Sequence, residues 1–184
     1  IFRHCRKVEP GTWMAWNGET GHYTKQRYWS VAECFQREKS PASEAAAVEE
    51  LAELLPRVVN RRLLADVPVG VFLSGGYDSS LVTALLAAEK ETRVRTFTMG
   101  FPDTGLDETP HARRVAEHLG ADHTEYQCTT ADAYKAWEVM PEVFDEPMAD
   151  ASAIPTWVLS RAVRTDVKVD LSADGGDEIF GGYE

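Results

Sequence analysis

"VFLSGGYDSSLV", Val71 to Val82, decides the fold, because an apolar strand runs straight into a double glycine and an apolar helix pattern opens within two residues of it. A strand, a glycine turn and a helix in that order form an anion cradle, in which backbone N–H groups and the helix dipole face the same ligand. Ser74, Gly75 and Gly76 make the tight turn, and Ser79 and Ser80 add hydroxyl donors. From Val67 onward the same alternation repeats. Strands are predicted at residues 67–73, 93–99, 123–128 and 167–172, and helices at residues 78–90, 108–119, 130–140 and 152–164. The order predicts an α/β fold with a doubly wound, mostly parallel sheet, helices on both faces and ligands beyond the C-terminal strand ends.

No lysine stands in the loop, so it is not the GxxxxGK[ST] loop of kinases and P-loop NTPases. Asp78 takes the opposite charge instead. A carboxylate facing polyphosphate is repelled unless a divalent cation lies between them, which points to ATP with Mg²⁺. A cradle gripping the β,γ-pyrophosphate leaves the α-phosphorus open, and adenylylation with release of pyrophosphate is the expected chemistry. The competing reading is a serine-glycine turn with Asp78 as helix cap. A second acidic turn, "SADGGDE" from Ser172 to Glu178, also follows an apolar strand. Asp174 and Asp177 there can supply a base and a second metal ligand, or simply cap a solvated turn.

Upstream, "SPASEAAAVEELAELLPRVVNRRLLAD" predicts a helix capped by Ser43 and kinked or divided at Pro56. "NGETG", Asn17 to Gly21, predicts a turn between two short strands. Residues 1–40 carry seven Lys/Arg against four Glu, while the remaining 12 basic residues face 26 acidic ones, so the charge balance shifts near residue 40. The net charge of −11 disfavours nucleic acid as a partner. No apolar run approaches a membrane span, and the three cysteines, Cys5, Cys34 and Cys128, share no metal or disulfide spacing. A cytoplasmic protein with free thiols is expected. His111, His118 and His123 lack a carboxylate cage and read as surface or core histidines, and Trp13, Trp16 and Trp29 as packing aromatics. Asp145 and Glu146 either orient a loop near the acceptor or cap the next helix.

Together "LSGGYDSS", "TMGF" followed by "LDE", "DEPMADASAIPT" and "LSADGGDEIFGGY" resemble the synthetase domain of glutamine-dependent asparagine synthetases, over about residues 42–183. The first motif alone marks the wider PP-loop ATP pyrophosphatases, and the full set in this order is far more specific. The resemblance implies ATP and Mg²⁺, with a small carboxylate, aspartate first, amidated by ammonia through a β-aspartyl-AMP intermediate. The alternatives are a relative acting on another carboxylate, or a fragment that binds nucleotide without turnover. It further implies that Ser74, Gly75, Gly76, Asp78, Ser79 and Ser80 hold pyrophosphate, and that Asp78 and Asp177 bind Mg²⁺. Phe72, Met99 and Gly100 would line the adenine site, with Ser172 and Ala173 beside the nucleotide and Asp174 as proton acceptor; Met99 reads equally well as core.

Residues 1–40 would then be the tail of a glutaminase domain plus linker, and 41–184 a synthetase domain continued beyond Glu184. Cys5 is not an N-terminal nucleophile, so ammonia would come from the rest of a longer protein. Self-association into a homodimer is compatible with apolar surface left at the ends. Tyr77 stands where the family commonly has leucine, and Ala173 where it has glycine.

Overall fold

In the computed structural model, residues 3–38, 43–89, 93–102, 107–144 and 146–182 are described. The chain divides into two compact units, Ile1–Ala47 and Val48–Glu184. In the first, β1 (Thr12–Trp16) and β2 (Tyr23–Arg27) form an antiparallel hairpin with Thr12 opposite Arg27. Asn17 closes the turn as predicted: its side-chain oxygen accepts from the N–H groups of Glu19 and Thr20 at 3.0 and 2.9 Å. Trp16 stacks on Tyr23, and Glu9 bridges Lys25 and Arg27. A short helix, α1 (Val31–Gln36), was not signalled by the sequence, since six residues carry too little apolar periodicity.

Helix α2 (Glu44–Arg61) starts at Ser43, whose hydroxyl accepts from Ala46 N–H at 3.3 Å. Of the two outcomes expected at Pro56, a kink or a division, the division does not occur: the helix is continuous through it. A proline weakens the carbonyl ladder one turn upstream, and here the Arg57 side chain reaches back to donate to the Glu53 carbonyl at 3.2 Å.

The second unit continues with β3 (Val69–Phe72), α3 (Tyr77–Glu89), β4 (Arg95–Gly100), α4 (Thr109–Leu119) and β5 (Asp122–Gln127). Then follow α5 (Thr130–Val143), α6 (Ala153–Val163), β6 (Val169–Leu171) and α7 (Gly176–Phe180). The sheet order is β5-β4-β3-β6 and every pairing is parallel. The four strands predicted from sequence are all present. α5 passes through Pro141, where the predicted helix ended, because a proline near a C-terminus costs few carbonyl bonds and Phe144 N–H still caps Met140 at 2.9 Å. The five-residue α7 was not predicted.

Strand alternation sends side chains to two faces. Phe97, Met99 and Cys128 pack with Leu159 and Val163 of α6 on one face. Val71, with Leu86 of α3 and Val59 of α2, and Leu73, with Ala112 and Ala116 of α4, pack on the other. Helices therefore cover both faces, and Phe97, 2% exposed, lies at the centre. His123 is a core histidine: Nδ1 bonds Thr96 Oγ1 at 2.8 Å, and burial holds its pKa below the usual histidine value. Among the described residues, no helix is long and apolar enough to cross a membrane.

Candidate functional site

Strand order reverses at β3: the chain moves outward to β4 and β5, then returns to place β6 on the other flank of β3. In an open parallel sheet that switch point is where ligands bind, beyond the carboxyl ends of the strands. The loop after β3 is "LSGGYDSS" and the loop after β6 is "SADGGDE". Topology thus sets both turns side by side.

Within the first loop the hydroxyls divide their duties. Ser74 and Ser79 Oγ lie 3.0 Å apart, Ser79 Oγ also reaches the Gly76 carbonyl at 3.3 Å, and Gly76 N–H donates to Ser74 Oγ at 3.3 Å. Ser79 is buried and holds the turn in shape. Ser80 Oγ is buried with no hydrogen-bond partner among the described residues. A polar group in that state costs about 1–3 kcal/mol, which a ligand acceptor would recover. Gly75 has φ +88°, open to glycine at little cost, and a Cβ on it would come within 2.6 Å of Ala112 N. The turn is therefore pressed against the first turn of α4.

Asp78 stands in the first turn of α3, and its carboxylate lies directly over Gly176 at the start of α7. A Cβ on Gly176 would sit 2.6 Å from Asp78 Cγ. A side chain at position 176 would have to displace the Asp78 carboxylate, and the sequence had not singled out Gly176. The doubled glycine of "GGDE" was the available signal, since Gly175 takes the positive φ (+95°) and leaves Gly176 a different task. Asp177, one residue on, rests its carboxylate against Gly182 and its carbonyl accepts from Gly181 and Gly182 N–H. Ser172 Oγ accepts from Asp174 N–H at 3.2 Å, and the Asp174 side chain is exposed. Ala173 is half-buried beside it.

Phe72 and Met99 pack on the cluster beneath the α5–α6 face, Met99 being 7% exposed. Gly100 ends β4 on the opposite face, where a Cβ would meet Thr109 Oγ1 and the Gln127 amide. Thr109 is fixed by Asp107, whose pKa is lowered by that hydroxyl and then by Thr109 N–H. Asp145 and Tyr183 lie outside the described residues. Among the described residues there is no group of three or more His, Cys, Asp or Glu side chains arranged to hold a metal. The carboxylates of Asp78 and Asp177 rest against different glycines, Gly176 and Gly182 respectively.

The architecture is shared with solved structures. The NMN synthetase of Francisella tularensis matches with TM-score 0.50 at 18% identity, over 80% of this chain and 60% of that one. The U34-tRNA thiolase of Methanococcus maripaludis matches with TM-score 0.50 at 16% identity, over 75% and 52%. These likenesses define the class by fold alone: an open, parallel α/β domain with helices on both faces of the sheet. A sequence model described as asparagine synthase matches residues 50–184, and the chain belongs to that family.

Curated relatives agree. A putative glutamine-hydrolysing asparagine synthetase of Methanocaldococcus jannaschii is 33% identical over the whole chain and 35% of its own length. A putative one from Mycobacterium bovis is 40% identical over 77% of this chain and 22% of its own. Asparagine synthetase 1 of Bacillus subtilis is 33% identical over 98% of this chain and 28% of its own. The chain thus spans about a third or less of the length of these relatives.

Proposed function

We propose that this chain is the ATP-binding synthetase part of a glutamine-dependent asparagine synthetase, in which ATP activates a small carboxylate, aspartate first, for displacement by ammonia. The observation that carries this reading is the contact of the Asp78 carboxylate with Gly176, which brings the serine-rich and acidic turns to one switch point. Gly75, Gly76 and the first N–H groups of α3 would bind the pyrophosphate end, with Ser74, Ser79 and Ser80 supplying hydroxyls. Phe72, Met99 and Gly100 would bound the adenine, and Ser172 and Ala173 the ribose side. Asp78 and Asp177 would hold Mg²⁺, whose charge would offset that of the pyrophosphate.

With the pyrophosphate gripped as a unit, a substrate carboxylate oxygen attacks the α-phosphorus and the bond to the β-phosphate oxygen breaks. The β-aspartyl-AMP so formed carries a carbonyl that ammonia can attack, and AMP leaves as the amide forms. Asp174, exposed at the rim, is the group proposed to take the proton from the attacking ammonia. Ammonia would arrive from a glutaminase domain, and residues 1–40 would belong to that domain and its linker. The match of the Methanocaldococcus jannaschii relative along the whole chain supports this continuity.

Pyrophosphate and AMP release are to be measured on the full-length parent protein with ATP, Mg²⁺, ammonium and aspartate. Release that requires aspartate is the expected result. Release with another carboxylate but none with aspartate would overturn the acceptor, and no release with any carboxylate would overturn the ligase reading.

A further inference from the structure

The rim around the phosphate loop includes a basic pair that the motifs do not contain. Gly75 is pressed against α4, and a Cβ on it would lie 2.8 Å from His111 Cβ and 2.7 Å from the His111 carbonyl carbon. His111 is therefore a direct neighbour of the turn. Because α4 joins two parallel strands, its N-terminal turn lies at the rim where β4 ends, and helical side chains lean toward their helix N-terminus. The His111 side chain is thereby carried toward the same rim as the loop, and it is exposed.

Its Nδ1 lies 2.9 Å from the Arg114 guanidinium. A guanidinium has donors only, so Nδ1 must accept and the ring proton is held on Nε2. The contact favours the Nε2–H tautomer of an exposed ring and sets a permanent cation beside it. The loop itself contributes amides and hydroxyls but no cation, and Ser74 and Ser79 already spend part of their capacity on each other.

We propose that His111 contacts the pyrophosphate end of the bound nucleotide through Nε2–H, with Arg114 as the positioning residue that fixes its tautomer. This rests on the nucleotide reading above. His111 thereby supplies a donor to the β,γ-phosphate oxygens, and the neighbouring guanidinium adds the charge that a lysine contributes in other phosphate loops.

Calorimetric titration of the protein with magnesium pyrophosphate, MgATP and AMP separates this role from a structural one. His111→Ala is expected to weaken pyrophosphate and MgATP about tenfold, the scale of one hydrogen bond to a charged group, while AMP affinity stays within about twofold. His111→Gln, whose amide can offer an N–H near the Nε2 position, is expected to recover most of the loss. Should alanine disturb the packing under Gly75, His111→Phe keeps a ring without the donor and carries the same comparison. In ¹⁵N NMR, His111 is expected as the Nε2–H tautomer, and as a mixture in Arg114→Leu. Unchanged pyrophosphate affinity in His111→Ala, or equal losses for AMP and pyrophosphate, would overturn the contact while leaving the nucleotide site standing. A wild-type protein that binds none of the three ligands would overturn both.

Discussion

Asp78 and Gly176 illustrate how one carboxylate is given a task by the residue that faces it. Asp78 sits where a helix N-terminus welcomes negative charge, so a cap alone would explain its identity. A cap does not require a bare Cα against its carboxylate, and Gly176 provides one. Asp78→Asn is accordingly expected to lower Mg²⁺-dependent ATP affinity by about a hundredfold, the scale of a disrupted metal site, while melting temperature shifts only a few degrees. Calorimetry beside a thermal melt checks both, and the reverse pattern would restore the cap reading. Gly176→Ala is expected to cost about 1–3 kcal/mol by overpacking and to weaken MgATP at least about tenfold. A variant that melts lower yet binds MgATP normally would show that this contact serves packing alone.

At the scale of elements, β6 holds an unusual group. Asp170 lies in register with Gly70 of β3, its carboxylate fills the space that glycine leaves beside Phe97, and its Oδ1 is buried with no partner among the described residues. Burial raises its pKa to about 6. An unfolded aspartate ionises near 4, so the folded state is not penalised below that pH, and the penalty grows as pH rises and is complete above about 6. Asp170→Asn should therefore match the wild type near pH 3.5 and melt progressively higher than it between pH 4 and 7. A difference that is flat with pH would contradict this.

The elements themselves were largely legible in the sequence. Apolar runs such as "VGVF" and "RTFTM" stood between helical patterns, and α5 was expected from residue 130, where it begins; its capping box of Thr129 with Asp132 is seen only in the structure. What escaped had a local cause. α1 and α7 are too short for periodicity, and α2 runs through Pro56 without a break.

For the whole molecule, the deciding fact is strand order, which no single motif encodes. Alternation of strands and helices predicted a parallel sheet, but only pairing β6 beside β3 makes the two glycine turns neighbours across about 100 residues of chain. The acidic and serine-rich turns were recognisable separately; the contact of Asp78 with Gly176 was not, because it depends on strand order bringing the two turns together. His111 is the surface histidine that the sequence suggested; its closeness to Gly75 was not legible, because it too depends on packing between distant segments.

The most direct measurement replaces Mg²⁺ by paramagnetic Mn²⁺ with ATP and follows backbone amide NMR signals. If the two turns share one metal nucleotide, signals from Gly75–Ser80 and from Ala173–Glu178 broaden together at substoichiometric Mn²⁺, and broadening requires ATP. Broadening of one turn without the other, or of neither, would contradict the account.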